Sequence, residues 1–255
     1  AGVQGISVGD FVACGGAGAV HSEVVCVPKN LCVKLSDPSK VREGAFATIA
    51  AIAMQGIRQA DLRLGENCVV IGLGLIGQLT VQMLKAAGVK VVGVDIDRNA
   101  VDLALKSGVD LALNRNADGI EDAINEISRG AGADAIIITA ATSSNDPVEF
   151  AGLIARKKAK VVIVGAVPTG FSRKNYYQKE LDLRMSSSYG PGRYDVEYED
   201  KGHDYPIGYV RWTEQRNMQA YLDLLEAGKI EFEHLLSHEF AFEEAPKAYD
   251  MIHER

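Results

Sequence analysis

The run Gly72-Leu73-Gly74-Leu75-Ile76-Gly77 constrains this chain more than any other feature. It follows the run Asn67-Cys68-Val69-Val70-Ile71 directly, and residues 78–87, with Leu79, Met83 and Ala87 four apart, come next. The first pattern predicts a short buried strand and the second a helix that Gly88 stops. Between them, Gly72 permits a tight turn, Gly74 leaves the backbone open to a ligand, and Gly77 lets the helix pack closely on the sheet. The amides from Gly72 through Leu75 and Ile76 to Gly77 then surround a helix N-terminus. Its unpaired N–H groups and positive dipole end suit a pyrophosphate.

The same alternation continues downstream. β-Branched runs at residues 90–95, 134–139 and 160–165 predict three further strands, and weaker ones fall at 111–113 and 181–186. Asp97 can cap a helix that Gly108 ends, and Asp146-Pro147 opens another with proline at its first position. Six strands alternating with helices imply parallel pairing with helices on both faces, a doubly wound α/β sheet. Asp95 closes the second strand 21 residues beyond Gly74. A carboxylate there accepts from ribose hydroxyls and repels a 2′-phosphate, which favours NAD(H) over NADP(H). Ile96 and Arg98 lie beside it, and Arg98 tempers that preference. Thr139-Ala140-Ala141 and Gly165-Ala166-Val167 end the fourth and fifth strands, where small residues leave room for a ribose and nicotinamide. A methyltransferase would also carry an acid after its second strand. Its first glycine turn usually follows an acidic residue, however, and Val69, Val70 and Ile71 stand there.

The flanks have a different pattern. Residues 1–34 read as strand and turn, with strands near 11–13 and 22–28, and residues 38–60 as an Ala/Ile-rich helical stretch. A Gly/Pro/Tyr-rich loop follows residue 190, then a helix over 209–227, a strand near 237–240 and a short helix from Glu243. So little β structure cannot close a sheet alone. Three segments are therefore expected: 1–37 as part of a second domain, 38–189 as the dinucleotide-binding domain, and 190–255 as a return to the second domain.

Composition removes other classes. The net charge is −7, and residues 195–255 carry 15 acidic against 6 basic side chains, so no basic face suggests a nucleic-acid partner. The longest strongly apolar stretch, residues 45–54, is too short to span a bilayer, and no secretory leader pattern is visible at the amino end. Cys14, Cys26, Cys32 and Cys68 form no CxxC pair. They read as reduced thiols, which favours the cytoplasm.

Taken with Gly9-Asp10-Phe11-Val12-Ala13, His21-Ser22-Glu23-Val24-Val25 and Val94-Asp95-Ile96-Asp97, the glycine motif resembles that of the medium-chain, alcohol-dehydrogenase-like dehydrogenase/reductase superfamily. Three longer strings, from Ile49 to Arg58, Ser188 to Tyr194 and Asp204 to Trp212, resemble a zinc-less subgroup of bacterial two-domain oxidoreductases. The resemblance implies a Rossmann sheet plus a GroES-like catalytic β domain built from both chain ends. That domain is incomplete here: its opening and a closing strand after Arg255 are expected and not in the sequence. The resemblance also implies a homodimer joined through the last Rossmann strand.

Zinc-dependent members carry a ligand near the position of Ala47-Thr48, and this chain has none there. His234 and His238 lie in His-Leu-Leu-Ser-His-Glu, which reads as loop into strand, so no metal is expected. Without zinc, the reacting carbon needs a proton partner or polarising donor. The candidates are Tyr189, Arg193, Tyr194 and His203, with His21 behind them, and the sequence does not rank them. The expected activity is NAD(H)-dependent, zinc-independent hydride transfer to or from an alcohol or carbonyl of a small molecule, and the subgroup resemblance alone implies a sugar- or polyol-like substrate. The alternative is a non-catalytic NAD(H)-binding module or scaffold of a larger multidomain oxidoreductase. No membrane partner is expected.

Overall fold

In the computed structural model, residues 3–253 are described. The chain opens with two short strands, β1 (Val12–Cys14) and β2 (Cys32–Lys34), paired antiparallel. Their register sets Cys14 opposite Cys32 with the sulfurs 3.3 Å apart, and all four cysteines are free. After α1 (Val41–Gly44) and α2 (Ala47–Ala60) the alternation begins: β3 (Asn67–Ile71), α3 (Leu75–Ala86), β4 (Lys90–Asp95), α4 (Arg98–Lys106), β5 (Leu111–Asn114) and α5 (Ile120–Ile127). It continues with β6 (Ala133–Ile138), α6 (Asp146–Ile154), β7 (Ala155–Ile163), α7 (Arg173–Lys179) and β8 (Asp182–Met185). Three helices follow: α8 (Val196–Glu199), α9 (Glu214–Glu226) and α10 (Ala245–His253).

The six-stranded sheet is parallel throughout, in the order β5-β4-β3-β6-β7-β8. The chain winds outward one way from β3 and then the other way from β6, so the switch point lies between those two central strands. Alternate residues feed opposite faces. Val69, Ile71, Ile136 and Ile138 pack with Ile124 of α5 and Phe150 of α6. Cys68, Val70, Ala135 and Ile137 pack with Leu84 of α3 and Ala104 of α4. Burial on both faces is why these strands read as unbroken apolar runs. A third core joins Ala13 and Val33 of the small sheet to Ala50, Ala51 and Met54 of α2 and to Met218, Tyr221 and Leu225 of α9. At Gly56, a Cβ would stand 2.6 Å from Val164, which shows how closely α2 approaches the sheet.

All six expected sheet strands form, but several boundaries and flanking elements differ from expectation. Helix α3 starts at Leu75, inside the glycine motif, because Gly74 takes extended dihedrals and serves as N-cap. Strand β7 starts at Ala155, and its charged opening is held by Arg156, whose Nε lies 2.6 Å from Asp134. The stretch 38–60 is broken into a 3₁₀ turn (Pro38–Lys40), α1 and α2. The helix expected over 209–227 begins only at Glu214, where the Thr213 hydroxyl caps it by accepting from the Arg216 amide. Residues 22–28 and 237–240 form no strand. Among the described residues nothing runs alongside them to pair their N–H and C=O groups. Helices α5 and α7 were not expected.

The loop from Ser187 to Thr213 wraps the start of α9. The Glu214 amide donates to Pro191 O at 2.9 Å, Asn217 Nδ2 to Tyr189 O at 3.0 Å, and Tyr198 Oη to Thr213 Oγ1 at 2.9 Å. Asn30 Nδ2 ties the amino-terminal segment in by donating to Tyr198 O at 2.8 Å. Glu214 is fully buried there, and Gly192 (φ +107°) lies so close that a Cβ would stand 3.1 Å from Glu214 Oε1. Neither Glu214 oxygen nor the Tyr189 hydroxyl completes a hydrogen bond among the described residues. Burial first, and then the Glu199 carboxylate, push the Glu214 carboxyl up to about 7, while the nearby Tyr189 hydroxyl and Arg193 oppose them. A carboxyl raised above its unfolded value of 4.5 stabilises the fold fully below that pH. The contribution is lost as pH rises through about 7. Thermal unfolding between pH 5 and 8 should therefore show the native protein losing stability relative to Glu214→Gln, by on the order of 2 kcal/mol. Parallel profiles for the two proteins would contradict a protonated, buried Glu214.

Candidate functional site

The glycine turn is shaped by contacts that exclude side chains. Gly72 has φ +97°, and a Cβ there would stand 2.4 Å from Ala140 N. At Gly77 a Cβ would stand 2.0 Å from Gly72 O, so only glycine lets α3 start against the end of β3. Gly74 is different: nothing lies within 4 Å of where its Cβ would be. The chain's own packing does not demand glycine there, and the space in front of it is open. No side chain caps α3 and no acidic residue stands in its first turn, so its leading amides are left without a side-chain partner.

Asp95 fixes the turn from the next strand. Its Oδ2 accepts from the Leu73 amide at 2.6 Å and its Oδ1 from the Asp97 amide at 2.8 Å. Each oxygen keeps a further lone pair for a ribose hydroxyl. From the other side of the switch point, the Thr139 amide donates to Ile71 O at 2.8 Å and Thr139 Oγ1 to Gly72 O at 2.5 Å. Buried Gln78 secures the start of α3, donating through Nε2 to Leu73 O and Ala100 O at 2.9 Å each. Its Oε1 accepts from Ser107 Oγ at 2.9 Å, and the same hydroxyl meets His234 Nε2 at 2.9 Å.

These elements enclose a cavity of about 690 Å³ above the carboxyl ends of the central strands. Of the residues singled out from sequence, Gly72, Gly74, Asp95, Ile96, Thr139, Ala140 and Ala141 line it. Leu75, Ile76, Gly77, Arg98, Gly165, Ala166 and Val167 do not. Gly77 lies beneath the turn, and Arg98 points into solvent from the start of α4. Gly165 packs under the wall, where a Cβ would stand 2.1 Å from Ala140 O, and Ala166 O accepts from the Thr142 amide at 2.9 Å. Sequence reasoning missed Arg115, Asn116, Ser144 and Asp146, which also line the cavity. Arg115 and Asn116 follow the end of β5, and the rule that ligands gather at carboxyl strand ends points to them.

The proton-donor candidates lie elsewhere. Tyr189 is buried in the α2–α9 core, and Arg193 pairs with Glu199 at 2.7 Å. Tyr194 is exposed beside the Arg193 guanidinium, whose carbon is 4.3 Å from its ring centre. His203 meets Glu197 at 3.0 Å, and His21 meets Tyr249 Oη at 2.7 Å. His238 bonds Ser237 while His234 bonds Ser107, so the two histidines serve different partners. Among the described residues, no three His, Cys, Asp or Glu side chains are grouped so as to hold a metal ion. No helix among them is long and apolar enough to cross a membrane.

Residues 76–199 match the family described as zinc-binding dehydrogenase. D-guloside 3-dehydrogenase of Escherichia coli (strain K12) is 29% identical, aligning over 97% of this chain and 68% of its own length. D-xylulose reductase A of Aspergillus niger is 26% identical over 89% of this chain and 58% of its own. Among solved structures, galactitol-1-phosphate dehydrogenase from Escherichia coli shares the fold with a TM-score of 0.72 at 21% identity. That match covers 90% of this chain and 62% of the other. The 2R,3R-butanediol dehydrogenase of Bacillus subtilis gives 0.69 at 20%, covering 88% and 58%. This chain thus spans between 58% and 68% of the length of these proteins. The family match covers residues 76–199, just under half of the chain, and together with the shared fold it makes the chain similar to the zinc-type, alcohol-dehydrogenase-like dehydrogenases.

Proposed function

We propose that the chain is the dinucleotide-binding part of an oxidoreductase that moves hydride between NAD(H) and an alcohol or carbonyl of a sugar- or polyol-like substrate. One observation carries the reading: an uncapped helix N-terminus opens, across a glycine whose Cβ would touch nothing, into the cavity that also holds Asp95. The residues fit a dinucleotide. The amides of Gly74, Leu75 and Ile76 would receive the pyrophosphate, Asp95 the adenosine ribose, and Thr139 to Ala141 would flank the nicotinamide side, with Gly165 to Val167 behind them. When bound, the cofactor supplies the hydride, and the protein orients it and keeps the crevice in register.

The sugar or polyol class is supported by the names of the relatives, D-guloside 3-dehydrogenase and D-xylulose reductase A. Solved relatives have been described with NADH in one case and NADP in another. The preference for NAD(H) is therefore rested on Asp95. Zinc independence is proposed from Ala47 and Thr48, which offer no ligand where zinc-dependent members have one. Strand β8 stands at the sheet edge, which supports a homodimer formed through it, and four free cysteines suit a cytoplasmic setting. A second reading, a cofactor-binding scaffold without chemistry, is favoured by the position of Tyr189, Arg193, Tyr194 and His203 outside the cavity.

Titration of NADH and NADPH, followed by nicotinamide fluorescence and thermal stability together, tests the cofactor assignment. NADH is expected to bind saturably and more tightly than NADPH. Gly74→Ala, whose added Cβ meets no protein atom, should keep the thermal midpoint and weaken NADH by about tenfold or more. Asp95→Ala should weaken NADH and narrow the gap to NADPH. An unchanged preference in Asp95→Ala would refute the role given to that carboxylate. Hydride transfer to a panel of keto-sugars separates the enzyme from the scaffold.

A further inference from the structure

The cavity that contains Asp95 also contains an ion pair, Arg115 with Asp146. Arg115 follows β5, and its amide donates to Asp95 O at 2.8 Å, so it stands beside the ribose-binding acid. Its guanidinium carbon lies 4.0 Å from the centre of the Phe150 ring. Nε and one terminal nitrogen donate to the two oxygens of Asp146 at 3.0 and 2.8 Å. Asp146 is the first residue of α6, where the helix dipole further favours its negative charge. Among the described residues that line the cavity, Arg115 is the one cation.

In sheets of this kind, an acid at the end of the second strand takes the ribose hydroxyls, whereas a nearby arginine accommodates a 2′-phosphate. Both residue types stand in this cavity. What decides between them is whether the guanidinium is free.

We propose that Asp146 sets cofactor choice by sequestering Arg115. Held in a bidentate pair with its charge cancelled, the guanidinium offers nothing to a 2′-phosphate, and Asp95 alone governs the ribose end. A phosphate monoester would have to break this pair while facing the Asp95 charge. The proposal rests on reading the cavity as a dinucleotide site. It goes further by naming the residues through which that site selects NAD(H) over NADP(H).

The test is a mutant cycle with NADH and NADPH as probes, reading the ratio of their dissociation constants in the native protein, Asp146→Asn, Arg115→Ala and the double variant. Asp146→Asn frees the guanidinium, and the ratio of NADPH to NADH dissociation constants should fall by about fivefold. Arg115→Ala leaves the Asp146 charge unpaired, and the ratio should rise. The double variant should return close to the native ratio. A pair with only a structural role would leave the ratios flat or move both single variants in the same direction, and either result overturns the proposal. Thermal midpoints accompany each titration, and Arg115→Ala reports independently if Asp146→Asn fails to fold. Failure of the native protein to bind either nucleotide overturns the cofactor reading and this proposal together, whereas native binding with flat ratios overturns this proposal alone.

Discussion

The start of α3 sits against the end of β3 so closely that the Gly72 carbonyl occupies the place a side chain at residue 77 would need. That approach fixes much of what surrounds it. It aims the helix N-terminus at the switch point of the sheet, and it leaves the Gly72–Gly74 turn narrow enough for Asp95 to clamp from β4 and Thr139 from β6. A helix set further from the sheet would point its amides into solvent and leave the acid and the amides in separate places. The crevice is thus a consequence of packing, in which Gly72 and Gly77 let groups from three strands come together.

The wall of this crevice is held by polar contacts that a hydrophobic core would not specify. Gln78 satisfies two carbonyls and one hydroxyl from inside the structure, and through Ser107 it connects the glycine turn to His234 in the carboxy-terminal segment. Buried amide groups of this kind favour one arrangement, because any shift leaves donors unpaired. Around Glu214 the opposite holds: a carboxyl is buried with neither oxygen bonded, and the cost falls on stability at neutral pH. The two cases show how the chain distributes strictness, tight at the turn and strained at the loop that crosses α9.

What the sequence made legible followed from strong local patterns. The runs at Asn67–Ile71 and Lys90–Asp95 coincide with β3 and β4, because interiors buried on both faces read as unbroken runs without polar side chains, which Asn67, Lys90 and Asp95 delimit. Asp97 caps α4 as expected, its side chain accepting from the Asn99 amide. The flanks were harder. Residues 22–28 and 237–240 have strand-like composition, but strand formation depends on a neighbour, which no local pattern reveals. The pairing of Arg115 with Asp146 was also invisible, since it joins residues 31 apart that only the sheet order brings together. Asp146 could be read from sequence solely as a helix opener, and its second role appears once β5 and α6 are placed around one cavity.

The central claim is that the open N-terminus of α3 holds a dinucleotide in the crevice with Asp95. Amide NMR of the isotopically labelled chain, titrated with NADH, tests this most directly. The account predicts saturable shifts concentrated at Leu73 to Gly77, Ile96 and Asp97, and Thr139 to Thr142. Shifts confined to other surfaces, or none at all, would contradict it.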